Sequence, residues 1–249
     1  MKNTRMTICF VVIVLSVLTV YSSATTLTDN FDNGLSANWR TFQTDAANAP
    51  WTISANTGVL EISKPADNDT QTKYHNLGAG ITSKFSLDGD FALSVDFTLV
   101  NFPLANTNGW NEAILQIANA TQTFECLRFT SHYAQFAEKR WGSYLTYSCS
   151  FITGKLGITR QNNTVSAWIS NGTNTIQLGS SQSDEFLGAT TVNLFLFEES
   201  DHASTGRLST ALDVQFDNFT ATADSIVVPE PTTLFMLGLG GLILRKRKL

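Results

Sequence analysis

Two carboxylates on one face of a strand can act together across a single bond, one as acid and the other as base or nucleophile. On a strand this requires even spacing, because alternate side chains share a face. The densest acidic run, Glu198-Glu199-Ser200-Asp201, puts Glu199 and Asp201 at that spacing. It stands where a strand gives way to His202-Ala203-Ser204-Thr205-Gly206, a loop composition, so a solvated turn is the favoured reading. The three histidines, His75, His132 and His202, fit neither His-x-His nor His-Glu-x-x-His, so a zinc centre is not expected. No Gly-x-Ser-x-Gly elbow and no phosphate-binding glycine loop occurs. Arg128, His132, Tyr133, Tyr144 and Tyr147 would make a proton-abstracting set only if separate strands brought them together. The expectation is a protein that is not an enzyme.

Other residues point to binding. Flat aromatic faces beside hydrogen-bonding side chains suit sugars. Trp110 lies in the stretch 106–112, NTNGWNE, and Trp141 follows Glu138-Lys139-Arg140 and precedes Gly142. Both read as loop residues, more exposed than Trp39, Trp51 and Trp168, which alternate within strand patterns. Tyr74 and His75 fall in another loop. Trp110, Trp141, Tyr74 and His75 are therefore the candidate glycan contacts. Cys126 and Cys149 are the only cysteines beyond Cys9. A hairpin of strands 123–130 and 143–152, centred near Ala137-Glu138, would set them opposite one another as a disulfide.

The elements that must hold these residues are strands. Residues 91–100, FALSVDFTLV, alternate strictly, with Phe91, Leu93, Val95, Phe97 and Leu99 on one face. Residues 155–169, KLGITRQNNTVSAWI, read as two strands around Gln161-Asn162-Asn163. Further strands are expected at 51–54, 58–62, 113–117, 175–178, 191–197 and 208–221. No stretch shows long helical periodicity, and charged residues make up only 15% of the chain. About a dozen short strands without intervening helices predict one all-β, antiparallel sandwich or jelly roll over residues 25–223, with a short tether at 224–228.

The ends differ from this body. Residues 1–24 combine Lys2 and Arg5, an apolar run from 7 to 20, and Ser22-Ser23-Ala24. This is the pattern of a secretory signal peptide cut after Ala24, which implies passage through the Sec export machinery and permits a disulfide outside the cytosol. Residues 25–228 hold 20 acids and 10 bases, which argues against a nucleic-acid partner. The last 22 residues, VPEPTTLFMLGLGGLILRKRKL, join a Pro-Glu-Pro triplet, an apolar run of 13 residues and a cationic end. A helix of that run would span about 20 Å against about 30 Å of hydrocarbon. Arg245, Lys246, Arg247 and Lys248 would hold its end in the cytoplasm. A transient stop in the inner membrane fits better than a permanent anchor.

Two resemblances follow. Pro229-Glu230-Pro231 with the apolar segment and basic tail, over 229–249, resembles the PEP-CTERM sorting signal of Gram-negative bacteria. That resemblance implies processing by an exosortase, an envelope or extracellular destination, and an association with extracellular polysaccharide and biofilm. The stretches LTDNFDNGLSANWRTF (27–42), WTISANTGVLEIS (51–63), the hairpin at 155–169 and VQFDNFTATA (214–223) resemble concanavalin A-like, laminin G-like jelly rolls. In such folds the first and last strands lie side by side, here near Phe31 and Phe216. This would gather Asp29, Asn30, Asp32 and Asn33 with Asp217 and Asn218 as oxygen ligands for calcium. The Glu-x-Asp-x-Glu run of the laminarinase-like relatives has no counterpart in this chain. The expectation is a non-catalytic carbohydrate-binding or matrix protein. The alternatives are a secreted polysaccharide hydrolase or lyase, and a purely structural adhesion protein.

Overall fold

The computed structural model describes residues 24–44, 50–66, 75–105, 109–141, 144–182, 184–186, 188–200 and 211–228. The expected signal segment before Ala24, the side chain of His75, all of Tyr74, and the tail with Pro229, Glu230, Pro231 and Arg245 to Lys248 lie outside the described residues. No described helix is long and apolar enough to cross a membrane.

The described chain forms two antiparallel sheets. Sheet A runs, from one edge, β13 (Thr175–Gln182), β12 (Thr164–Ser170), β11 (Thr153–Gln161), β6 (Ser86–Asn101), β15 (Leu212–Val227), β4 (Leu60–Lys64) and β3 (Thr52–Ser54), with β1 (Thr25–Asp29) also on β15. Sheet B runs β10 (Leu145–Ser148), β9 (Gln135–Arg140), β8 (Thr123–Ser131), β7 (Gly109–Ala118), β14 (Thr191–Ser200), β5 (His75–Ser83) and β2 (Trp39–Gln43). The only described helical turn is the 3-10 segment Asp184–Phe186.

Alternation builds the core. Phe91, Leu93, Val95 and Phe97 of β6 are buried, as are Leu156 and Ile158 of β11, and Val165, Ala167 and Ile169 of β12. They pack with Ala113, Leu115 and Ile117 of β7 and Val192, Leu194 and Leu196 of β14. Each large apolar side chain so enclosed contributes about 1.5–3 kcal/mol of transfer free energy. The next residue on every strand points outward, so each sheet presents one outer face.

The 155–169 hairpin forms as its pattern predicts: Gln161 pairs with Thr164 across a two-residue turn whose first member, Asn162, adopts φ 54°. The first and last strands are neighbours, with Leu27 opposite Ala221, and Phe31 and Phe216 are both fully buried. The closing strand is longer than expected. Residues 224–227 are not a tether, because β15 continues to Val227 opposite Ser86 of β6, which itself starts earlier than its apolar alternation.

Two strands depart from the sequence expectation. Residues 135–140, QFAEKR, form β9 between β8 and β10 instead of a turn. Charge hid this strand, and the fold accommodates it by partnering each charge. Residues 75–83 form β5, with the His75 backbone opposite Ser200 rather than in a loop. Gly80 permits it, since a Cβ there would collide with the backbone of Leu194 and with Phe195 on the adjacent strand.

Candidate functional site

Among the described residues, the clusters that could bear chemistry stand on the two outer faces. On sheet B, β7 sends Trp110, Glu112, Ile114 and Gln116 outward, alternating with Asn111, Ala113, Leu115 and Ile117. Trp110 is therefore a strand residue and not part of a loop. Its indole N–H donates to Glu199 Oε2 at 2.7 Å, and its ring packs against the cluster of Ile114, Leu127 and Phe129, which Phe136, Phe195 and Phe197 also flank.

Beside this apolar cluster stands a charged one. Arg140 of β9 donates through both terminal nitrogens to Glu112, one bond measuring 2.8 Å, and through Nε to Glu138 Oε1 at 2.6 Å. Glu125 Oε2 lies 3.8 Å from the same guanidinium, and Glu125 Oε1 accepts from Gln116 Nε2 at 2.7 Å. Thr146 completes Glu138 with a 2.7 Å bond. Burial raises the Glu112 carboxyl above the ordinary carboxylate range, against the opposing bond and charge of Arg140. Burial raises Glu125 likewise, and raises Glu199. Sequence reasoning missed Glu112 as a face residue, although Trp110-x-Glu112-x-Ile114-x-Gln116 carries the alternation that places it. A cavity of about 520 Å³ remains on this face near β2, lined by Arg40, Phe42, Gln116, Asn193 and Phe195.

Sheet A presents a different surface. Register aligns Gln177 of β13, Trp168 of β12 and Gly157 of β11 in one row across the strands. The next row holds Thr175, Ser170, Lys155, Asp96 and Asp217. The Trp168 ring lies directly over Gly157, where a Cβ would strike ring atoms Cε2 and Cζ2. Glycine at 157 thus leaves free the space that the indole occupies. Around it opens a groove of about 720 Å³, lined by Trp168 with Thr98, Ser170, Asn171, Gln177 and Gln215 among others. Lys155 and Asp96 face each other in it at 2.5 Å. Trp168 was expected, with Trp39 and Trp51, to be less exposed than Trp110 and Trp141; Trp39 and Trp51 are buried, whereas β12 turns Trp168 outward and leaves it half-buried.

Several other candidate side chains are bonded within the fold. Trp141 is half-buried, packed edge-on against Phe186 at 5.3 Å, with its N–H on Gln122 Oε1 at 3.1 Å, so it is not an exposed platform. Arg128 is fully buried and gives four of its N–H groups to the carbonyls of Phe129, Phe136 and Phe151 and to Gln135. Asp29 accepts from the Phe31 amide, Ser36 and Trp39, closing the first turn, and Asp32 pairs with Asn30. Asp217 bonds the following Asn218. Asp29, Asp32 and Asp217 do not join in a group of three ligands among the described residues. Cys126 and Cys149 are buried free thiols, not a disulfide. The inserted β9 sets Lys139 opposite Cys126 and moves Cys149 beyond β10. Burial pushes the Cys126 thiol up to about 12, which leaves it unreactive.

Residues 227–248 match the PEP-CTERM protein-sorting motif. No curated protein matches the sequence. Solved structures match the fold over most of the chain. A β-1,3-1,4-glucanase (lichenase) from a mouse hindgut metagenome aligns at TM-score 0.54 and 13% identity, over 81% of this chain and 100% of that one. The laminarinase catalytic domain of Thermotoga petrophila aligns at 0.52 and 11%, over 82% and 99%. The lectin UEA-II, solved with galactose, aligns at 0.53 and 9%, over 80% and 98%. The chain therefore joins a concanavalin A-like jelly roll, the architecture of glucanases and lectins alike, to a C-terminal PEP-CTERM sorting motif.

Proposed function

We propose that this is an exported bacterial surface or extracellular protein whose jelly roll holds carbohydrate of the extracellular matrix without cutting it. The sorting motif supports export and a passing stay in the inner membrane, with an exosortase as processing partner. The fold, shared by hydrolases and a lectin, supports carbohydrate as the ligand class. One observation carries binding over hydrolysis. The middle of β7 offers Glu112, Ile114 and Gln116 outward, a single carboxylate, and that carboxylate is clamped by both terminal nitrogens of Arg140. Hydrolysis needs two carboxyl groups free to face one bond.

Fractionation of cells producing the chain with and without residues 228–249 tests the sorting half. The full chain is expected in the envelope or medium, and the shortened chain elsewhere or retained unprocessed. An unchanged distribution overturns it.

A second reading, a polysaccharide-active enzyme, has one observation in its favour. Glu199 is the diagonal neighbour of Glu112 across β14 and β7, a backbone separation of about 7–8 Å, and both flank Trp110. Release of reducing ends from soluble glucans by the full chain, abolished by Glu112→Gln, would establish that reading and displace the first.

A further inference from the structure

We propose that the carbohydrate site is the Trp168 groove on the outer face of sheet A, the sheet opposite the one bearing Glu112, and that its ligand is an uncharged polysaccharide chain lying across the strands. This rests on the carbohydrate-binding reading above.

The argument begins with the indole. Trp39, Trp110 and Trp141 each give their N–H to a side-chain oxygen of the fold. Trp168 is half-buried on an outer face, and among the described residues no side chain accepts its N–H. Trp168 meets Gly157 through Cε2, Cζ2 and Nε1 and lines the groove, and an aromatic ring on a groove wall offers a sugar a stacking surface. The ring is also fixed in advance. It rests on the bare backbone of Gly157, so binding does not have to immobilise it.

The lining then selects the ligand. Gln177, Gln215 and Thr98 supply two amides and a hydroxyl, which can both donate and accept, as sugar hydroxyls do, and Asn171 adds its amide N–H groups while its oxygen holds the turn. Charge excludes a polyanion. The groove's cation, Lys155, is paired to Asp96, and Asp217 adds a further negative charge to the lining. Successive strands lie about 4.8 Å apart, so the five strands from β13 to β15 give a track of about 19 Å, long enough for several sugar rings.

Affinity electrophoresis of the full chain in mild detergent, through gels holding xylan, mannan, laminarin or alginate, tests this. At least one of the three neutral polymers should retard the protein. Trp168→Ala should weaken retention at least tenfold, Gln177→Ala severalfold, and Trp110→Ala less than twofold. Because Trp168→Ala exposes Gly157, the exposed Gln177→Ala, with an unchanged melting temperature, decides the matter if the first variant fails to fold. Retention lost with Trp110→Ala but kept with Gln177→Ala and Trp168→Ala overturns the site and leaves the carbohydrate reading intact. Retention by alginate alone overturns the uncharged ligand. No retention in any gel removes the carbohydrate reading itself.

Discussion

The two outer faces are written in the same strand alternation and end in opposite states. On sheet B the outward side chains close over one another: Glu112, Ile114 and Leu127 are almost fully buried although they point away from the core. Three glutamates converge on Arg140, and the aromatic rings pack beside them. On sheet A the groove around Trp168 stays open, lined by Thr98, Gln177 and Gln215 among others. What separates them is a long cation on β9 that draws carboxylates together, against a glycine on β11 that leaves space for a ring. A face whose groups satisfy each other has little left for a ligand, and a face with unspent donors has much.

The strongest way to break the sheet B arrangement is Arg140→Ala. It leaves Glu112 and Glu125 buried beside Glu138 with no cation, and is expected to destabilise the protein by about 3 kcal/mol at neutral pH. The deficit should depend on pH. Burial already raises both carboxyls in the folded state, and Arg140 opposes that rise. Without it the folded carboxyls take up protons at still higher pH than the unfolded ones. Stability lost at pH 7 is therefore regained as pH falls toward the ordinary carboxylate range. Urea unfolding of variant and parent at pH 7 and pH 5 measures this, and an identical deficit at both values would contradict the clamp. Retention on neutral glycan gels should survive at pH 5, where the fold recovers.

Trp141→Ala asks whether an aromatic near sheet B binds or merely packs. Its ring sits edge-on to Phe186, which in turn meets Phe124 at 6.4 Å. Truncation should cost about 3 kcal/mol and leave glycan retention unchanged once the protein is folded. A loss of retention with no change in melting temperature would restore Trp141 as a contact.

That contrast marks how far the sequence can be read. The sandwich, the 155–169 hairpin and the adjacency of first and last strands follow from apolar alternation and turn residues, which are local. β9 does not, because QFAEKR looks like a solvated turn until its partners are known. Lys139 reaches Trp141 O and Ser181 Oγ, residues far apart in the chain, and Glu138 and Arg140 find theirs across β8 and β10. The lost disulfide follows from the same strand, since one extra element shifts Cys149 out of register with Cys126. The groove was half legible. Parity puts Trp168 and Lys155 on one face, yet only the sheet order says that this face looks outward and that Gly157 lies beneath the ring.

Gly157→Ala sharpens the sheet A side with a smaller stability effect. The new Cβ would occupy the position of the Trp168 ring, and the ring, half-exposed, can lift away from it. Overpacking of this kind costs about 1–3 kcal/mol, and relief toward solvent places this case at the low end. Glycan retention should fall as far as it does for Trp168→Ala, because a tilted ring no longer makes a platform. A folded Gly157→Ala protein with full retention would move the ligand off this face.

The gentlest probe is Glu199→Gln, which tests sheet B without dismantling it. The amide oxygen can still accept the Trp110 N–H, so the bond and the aromatic cluster persist. Burial raises the Glu199 carboxyl, so in the parent this group favours the folded state most at low pH, and its contribution falls as pH rises through the ordinary range toward the folded value. The variant carries no such charge. It should match the parent within about 0.5 kcal/mol and gain slightly on it between pH 4 and pH 7. If sheet B is only packing, retention and the absence of reducing ends are unaffected. If Glu199 works with Glu112 as an acid across a glycosidic bond, the parent releases reducing ends and Glu199→Gln abolishes that release while stability stays put. A stability change is the trivial outcome that Arg140→Ala already supplies. A turnover change without one would make the closed face the working face, and the comparison between the two sheets would then have to be read in reverse.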